Sequence, residues 1–257
     1  MNVQMDVLVG DGYTSQSQKV RMVTESWAGA NLFCAACDCN SVTASANNTQ
    51  AIDFVCPKCS APYQLKAGKR WNERRIPDAG YDAMVKALRN DRVPNLIVMQ
   101  YSPTWQVENL MLVPSFFFSL AAVEKRKPLG PQARRAGWVG CNILLQAISN
   151  DGKIRLITNG NIREPEKIRN QYKLIQPLSK LSVDVRGWTL DVLRILQELG
   201  TDIFTLDAVY RFEQKLAKLH PDNHHIRDKI RQQLQVLRDL QLVDFLGSGR
   251  YQLRKII

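Results

Sequence analysis

The sequence has no apolar run long enough to cross a bilayer. Its longest apolar stretch, residues 109–123, is broken by Pro114 and two serines, which excludes a membrane-spanning helix there. The opening segment MNVQMDVLVGDG lacks the basic region, apolar core and small-residue cleavage site of a secretory signal, so the expected location is cytoplasmic. Acidic residues are in deficit: 24 Asp and Glu face 35 Lys and Arg, giving a formal charge of +11 and a pI near 9.5. Histidine is scarce too. The three present, His220, His224 and His225, lie together with no partner in view and receive no chemical role.

What is present describes an ordinary globular chain. At 257 residues, 45% hydrophobic and 23% charged, it is long enough for one large domain or two smaller ones with a real core. Residues 1–181 carry 23 basic against 14 acidic groups, and the remainder 12 against 10, so the basic excess lies N-terminal. Such a charge favours a polyanionic partner, nucleic acid first. A modest excess also serves solubility alone, and motifs must decide.

Six cysteines without a signal segment point to metal ligation or burial rather than disulfides. Cys34-Ala35-Ala36-Cys37 and Cys56-Pro57-Lys58-Cys59 form two C-x2-C pairs with 18 residues between them, the spacing of a four-thiolate zinc site. Two intervening residues let a tight knuckle aim both sulfurs at one ion, and Pro57 suits that turn. A redox pair or unligated core cysteines are the alternatives. Cys39 is close enough to the first knuckle to leave a swapped ligand open, while apolar surroundings make Cys141 a core residue.

AIDFVCPKCSAPYQLK, residues 51–66, predicts two short strands joined by the second knuckle. On the returning strand Gln64 and Lys66 share a face, and Leu65 is expected to point the other way, into the core. Asp53 sits on the partner strand. A carboxylate on one strand and an x-Leu-Lys on the next is the layout by which PD-(D/E)xK nucleases hold Mg2+ and orient water. By itself this pattern also arises by chance.

The surrounding chain alternates helix-like and strand-like runs. Val20, Val23 and Trp27 form a helical stripe over 15–30, with Glu25 pointing elsewhere; 78–92 reads as another helix; NLIVMQY (95–101), LMLV (110–113) and KIRLI (153–157) suit buried strands. A mixed sheet with flanking helices is the expected architecture. Residues 125–140, KRKPLGPQARRAGWVG, read as an ordered functional loop in which Arg134 and Arg135 can contact phosphate or base edges and Trp138 offers a flat surface to a base or methyl group. A solvated arginine pair and an edge-of-core tryptophan remain the plainer reading of the same residues.

Residues 182–257 read as a winged helix: three helical stretches and a terminal hairpin. Helices are expected over 188–199, ending at Gly200, and over 205–219, starting at Thr205; Pro221 prevents continuation. A third starts at Asn223 as cap, with Ile226, Ile230, Leu234 and Leu237 inward and Arg227, Arg231, Gln235 and Arg238 on a neighbouring face able to enter a major groove. Residues 243–253 make strand, Gly-rich turn and strand, the wing. A charged, solvated helix face is the alternative.

Taken together, SQKVRMVTESW, both knuckles, the 53–66 hairpin, DAGYDAMVKAL, KPLGPQARRAGWVGCNI and IRQQLQVLRD cover nearly the whole chain. In that order they resemble the DpnI-like methyl-directed type II restriction endonucleases. The resemblance implies an α/β fold: a PD-(D/E)xK mixed-sheet nuclease core with a four-cysteine zinc site over 1–181, and a C-terminal winged-helix domain over 182–257. It implies Mg2+-dependent hydrolysis of both strands of DNA at GATC containing N6-methyladenine. Asp53 would be the Mg2+ carboxylate and Lys66 the residue that orients or activates water. Cys34, Cys37, Cys56 and Cys59 would bind structural zinc. Trp138 would sense the adenine methyl, with Arg134 and Arg135 beside it on DNA, and the helix carrying Arg227, Arg231, Gln232 and Gln235 would be the reading element.

One departure stands out. The second acidic position of the family pattern is Gln64 here, a neutral amide whose oxygen still coordinates. The site should then hold Mg2+ more weakly, with the Leu65 carbonyl or Glu25 assisting. A rival reading keeps the fold without the chemistry: a catalytically weak or inactive protein that reads methylated DNA for regulation. Retention of both Asp53 and Lys66 argues against it. The oligomeric state, a monomer among the options, and the form of the cut ends stay open.

Overall fold

A computed structural model describes residues 1–46, 51–70 and 74–254. Along the chain run helix α1 (Gln16–Asn31), strands β1 (Thr43–Ala44), β2 (Phe54–Val55), β3 (Pro62–Gly68) and β4 (Arg75–Gly80), and helix α2 (Tyr81–Arg89). Strands β5 (Asn95–Tyr101), β6 (Val107–Val113), β7 (Val123–Lys125), β8 (Gly140–Leu144), β9 (Ile154–Thr158) and β10 (Asn161–Ile162) follow. Then come helices α3 (Pro165–Ile175) and α4 (Val183–Glu198), strand β11 (Ile203–Thr205), helices α5 (Leu206–Tyr210), α6 (Glu213–Leu219) and α7 (Ile226–Asp239), and strands β12 (Val243–Gly247) and β13 (Arg250–Leu253). The expected C-terminal domain runs to Ile257, and its last three residues lie outside the described ones. No described helix is long and apolar enough to cross a membrane.

The elements gather into two compact units interleaved along the chain. One comprises Met1–Ile76, Arg92–Ser115 and Gly152–Ile175; the other Pro77–Asp91, Phe116–Asp151 and Gln176–Ile257. The first is built on a mixed sheet ordered β1-β2-β3-β5-β6-β9-β10, in which β3 and β5 run parallel and the remaining neighbours antiparallel. Strands β5 and β6 form its centre, and Leu96, Ile97, Val98, Leu110, Met111 and Leu112 are almost fully buried, as befits apolar runs covered on both faces. Helix α1 buries Val23, Thr24, Trp27 and Ala28, and α3 buries Ile168, Gln171, Tyr172 and Ile175.

The hairpin of β2 and β3 forms as the sequence predicts, with Phe54 opposite Tyr63 and Val55 opposite Pro62. Leu65 departs from expectation: it is half-buried, whereas Tyr63, two residues earlier on the same face, is 1% exposed. Burial fades along β3 toward Gly68, so position along the strand outweighs alternation. Residues 78–92 also differ. Their first part is strand β4, which joins a sheet ordered β4-β8-β7, and the helix starts only at Tyr81, whose N–H donates to Val139 C=O at 3.0 Å. Pro77 and the extended Gly80 keep that stretch out of the helix.

In the second unit α4 begins earlier than predicted, at Val183, where Ser182 Oγ accepts from the Val185 N–H at 3.5 Å. The helix expected over 205–219 is two helices. Thr205 caps α5 by accepting from Ala208 N–H, and a turn closed by the Phe212 N–H on Val209 C=O at 3.1 Å separates it from α6. Asn223 does not cap α7: its Oδ1 accepts from His225 N–H at 2.9 Å, and His225 takes the cap position. The inward stripe is as read, with Ile226, Ile230, Leu234 and Leu237 at most 6% exposed, each contributing roughly 1.5–3 kcal/mol. Strands β11, β13 and β12 form the small antiparallel sheet, and Gly247, Ser248 and Gly249, all at positive φ, make the wing's tip.

Candidate active site and metal centre

The second knuckle is a tight turn whose amides face sulfur. The N–H groups of Lys58 and Cys59 lie 3.4 and 3.5 Å from Cys56 Sγ, and Ser60, at φ 60°, turns the chain so that Cys56 N–H reaches Ala61 C=O at 2.9 Å. Lys58 Nζ bonds both oxygens of Asp38, at 2.6 and 2.8 Å, and joins this knuckle to the first. The sulfurs of Cys34, Cys37, Cys56 and Cys59 all lie within 4.8 Å of one another, with Cys34–Cys59 and Cys37–Cys56 both at 3.6 Å.

Metal–sulfur bonds of about 2.3 Å in a tetrahedron put sulfurs about 3.8 Å apart, so this donor set fits zinc. Burial, opposed in part by the Tyr63 hydroxyl, pushes the Cys34 thiol well above its ordinary range; a divalent cation is the charge that lets it ionise. Cys39 is outside the group. Its sulfur turns to the Ser41 carbonyl at 3.4 Å. Cys141 is buried, as expected, with its sulfur on Ala79 C=O at 3.3 Å.

Asp53 immediately precedes β2. Its N–H donates to Tyr63 C=O at 2.9 Å, its C=O accepts from Ser45, and its side-chain Oδ2 accepts from the Leu65 N–H at 2.7 Å. The half-buried carboxylate is thereby held against the residue that separates Gln64 from Lys66. Among the described residues nothing donates to its other oxygen. Gln64 is 7% exposed and Lys66 partly so, opposite Leu96 and Val98 of β5. Glu25 is engaged: Arg21 Nε donates to its Oε1 at 2.7 Å. That bond first, and the Asp53 charge more remotely, raise the Arg21 pKa. An assisting Glu25 would act through Oε2 while Oε1 stays on Arg21.

In the second unit, the 126–139 loop extends the β7–β8 hairpin through paired bonds, Arg126 N–H to Gly140 C=O and Leu129 N–H to Trp138 C=O, both 2.9 Å. Arg134 and Arg135 are exposed and, with Leu129, line an open groove of about 530 Å³. Trp138 is not the bare platform its sequence suggests. The Arg135 guanidinium covers one face at 4.6 Å from the ring, and the ring lies so close to Gly140 that an added Cβ there would come within 2.8 Å of it. On α7, Arg227, Arg231, Gln232, Gln235 and Arg238 are all exposed. Arg227 pairs with Glu213 at 2.8 Å and Arg231 with Asp228.

Three relationships escape the sequence. Tyr63 touches Cys34, Arg169 grips the first knuckle from α3, and His220 stacks on Trp188 at 3.5 Å while its Nε2 meets Asp191 Oδ2 at 2.9 Å. Every residue involved is remote in the chain from its partner, and no local spacing announces them. Comparison with protein families gives two matches: the DpnI, Dam-replacing family over residues 1–181 and the Dam-replacing HTH domain over residues 184–253. The chain therefore belongs to the DpnI, Dam-replacing family, a membership that supports a methylation-dependent restriction endonuclease with a C-terminal DNA-binding winged helix.

Proposed function

We propose that the protein is a type II enzyme that hydrolyses both strands of DNA at GATC sites containing N6-methyladenine, with Mg2+ at Asp53, Gln64 and the Leu65 carbonyl. The observation that supports this is the bond between Asp53 Oδ2 and the Leu65 N–H, which holds the acid against the main chain of the strand that carries Gln64 and Lys66. Zinc at the four cysteines is structural in this reading, residues 1–181 cut, residues 182–257 read, and the location is cytoplasmic.

When bound, Mg2+ supplies Lewis-acid stabilisation of the charge that develops on the phosphate. Asp53 provides its anionic ligand, oriented by the Leu65 amide, and Gln64 a neutral oxygen. Lys66 orients the attacking water and offsets phosphate charge. Arg134, Arg135 and Trp138 contact the methylated site from the loop, and Arg227, Arg231, Gln232 and Gln235 from α7. Arginine and glutamine are suited to guanine and adenine edges, and the net positive charge makes binding salt-dependent.

Plasmids that differ only in adenine methylation at GATC test this. With Mg2+ the protein should linearise the methylated plasmid alone, and Asp53→Ala should abolish cutting. Binding without cutting would favour the non-catalytic reader, for which the neutral Gln64 is the support; equal cutting of both plasmids would reject methyl dependence.

A further inference from the structure

We propose that Tyr63 is a positioning residue that couples the thiolate centre to the catalytic strand through one hydrogen bond to the Cys34 sulfur. The inference rests on the zinc and nuclease readings above. Tyr63 is 1% exposed, and its hydroxyl lies 3.1 Å from Cys34 Sγ. The Ala35 N–H donates to the same oxygen at 3.2 Å, which occupies a lone pair and leaves the phenolic hydrogen for sulfur.

The backbone of the same residue belongs to the site. Tyr63 C=O accepts from Asp53 N–H at 2.9 Å, Gln64 follows it, and the next amide, Leu65, holds the Asp53 carboxylate. One residue thus touches a metal ligand by its side chain and the catalytic acid by its main chain. The start of β3 is pinned independently: Asn95 Nδ2 donates to Pro62 C=O at 3.0 Å, and Asn95 Oδ1 accepts from Ser115 N–H at 3.0 Å.

Arg169 has a different task. It donates Nε to Cys34 C=O at 3.1 Å and Nη2 to Cys39 C=O and Asn40 Oδ1 at 2.9 and 2.8 Å, and it lies over the Phe33 ring. It braces the loop backbone without reaching β3. Partners that hydrogen-bond metal ligands are typically worth about 10–100-fold in metal affinity, and a phenol donating to a thiolate also draws electron density from sulfur.

The test uses the full-length, zinc-loaded protein and Tyr63→Phe, which keeps the ring. Zinc transfer to a chromophoric chelator should be roughly tenfold faster or more from the variant. In the Co2+-substituted proteins the sulfur-to-metal charge-transfer band should move to longer wavelength in Tyr63→Phe, since the sulfur becomes a better donor. Hydrogen exchange in the wild type, before and after zinc removal, needs no variant: the Leu65 amide should lose protection while the Met111 amide of β6 keeps it. Wild-type release rate and an unmoved band in the variant would overturn the inference, as would Leu65 and Met111 losing protection equally or not at all. A wild type that takes up no zinc would instead remove the zinc reading beneath it.

Discussion

The Leu65 amide donates to Asp53 Oδ2 at 2.7 Å, so the carboxylate is oriented by the main chain of the strand that carries Gln64 and Lys66. An acid fixed in this way presents its other oxygen without side-chain help, and the chemistry then depends on its two neighbours.

Lys66→Ala should lower single-turnover cleavage of methylated DNA by roughly 10²–10⁴-fold, the range for a positioned proton-transfer group, and leave DNA binding by fluorescence anisotropy near the wild-type value. A loss under about tenfold would take Lys66 out of the proposed chemistry.

Gln64→Glu replaces a neutral ligand by an anion at a position 7% exposed. The Mg2+ concentration for half-maximal cleavage should fall, because added negative charge strengthens a hard-cation site. An unchanged Mg2+ titration would remove Gln64 from the ligand set.

The knuckles, the β2–β3 hairpin and the α7 stripe were legible because spacing and periodicity are local signals. Strand β4 was not: Asp78-Ala79-Gly80 runs into a true helix at Tyr81, and only pairing with a strand far along the chain makes it extended. The same applies to Arg169, 135 residues from Cys34. Gln64 and Lys66 were readable as a pair, but the Tyr63–Cys34 contact depends on how β3 lies over the first knuckle, which no pattern within either segment encodes.

Gly140→Ala would drive a Cβ to 2.8 Å from Cη2 and Cζ3 of Trp138, and a rigid indole must move. If Trp138 senses the methyl group, discrimination between methylated and unmethylated plasmid should fall by about tenfold or more, within the roughly 10–200-fold that one methylene is worth in an apolar pocket. Zinc content serves as the control and should stay unchanged. Undiminished discrimination would argue against Trp138 as the sensor.

Asp151 gives a pH signature. Burial pushes its carboxyl up from 3.8 to about 6, against the pull of the Gln197 amide, which donates to it at 2.7 Å. The folded state therefore binds more protons than the unfolded one between those values. This contribution to stability is fully present below 3.8 and is lost as pH rises through about 6. Asp151→Asn keeps an acceptor for Gln197 and removes the titration. Its melting temperature should exceed the wild type's by about 2–4 °C at pH 8, and the gap should close toward pH 4. A constant gap across that range would contradict the assignment.

Iron-directed backbone scission measures the placement of the catalytic ion most directly. With Fe2+ in place of Mg2+ and ascorbate present, hydroxyl radicals cut the chain next to the bound ion, and mass spectrometry locates the breaks. Breaks should fall beside Asp53 and within 64–66, and excess Mg2+ should suppress them and Asp53→Ala abolish them. Breaks confined to other segments, or unaltered in Asp53→Ala, would contradict that placement.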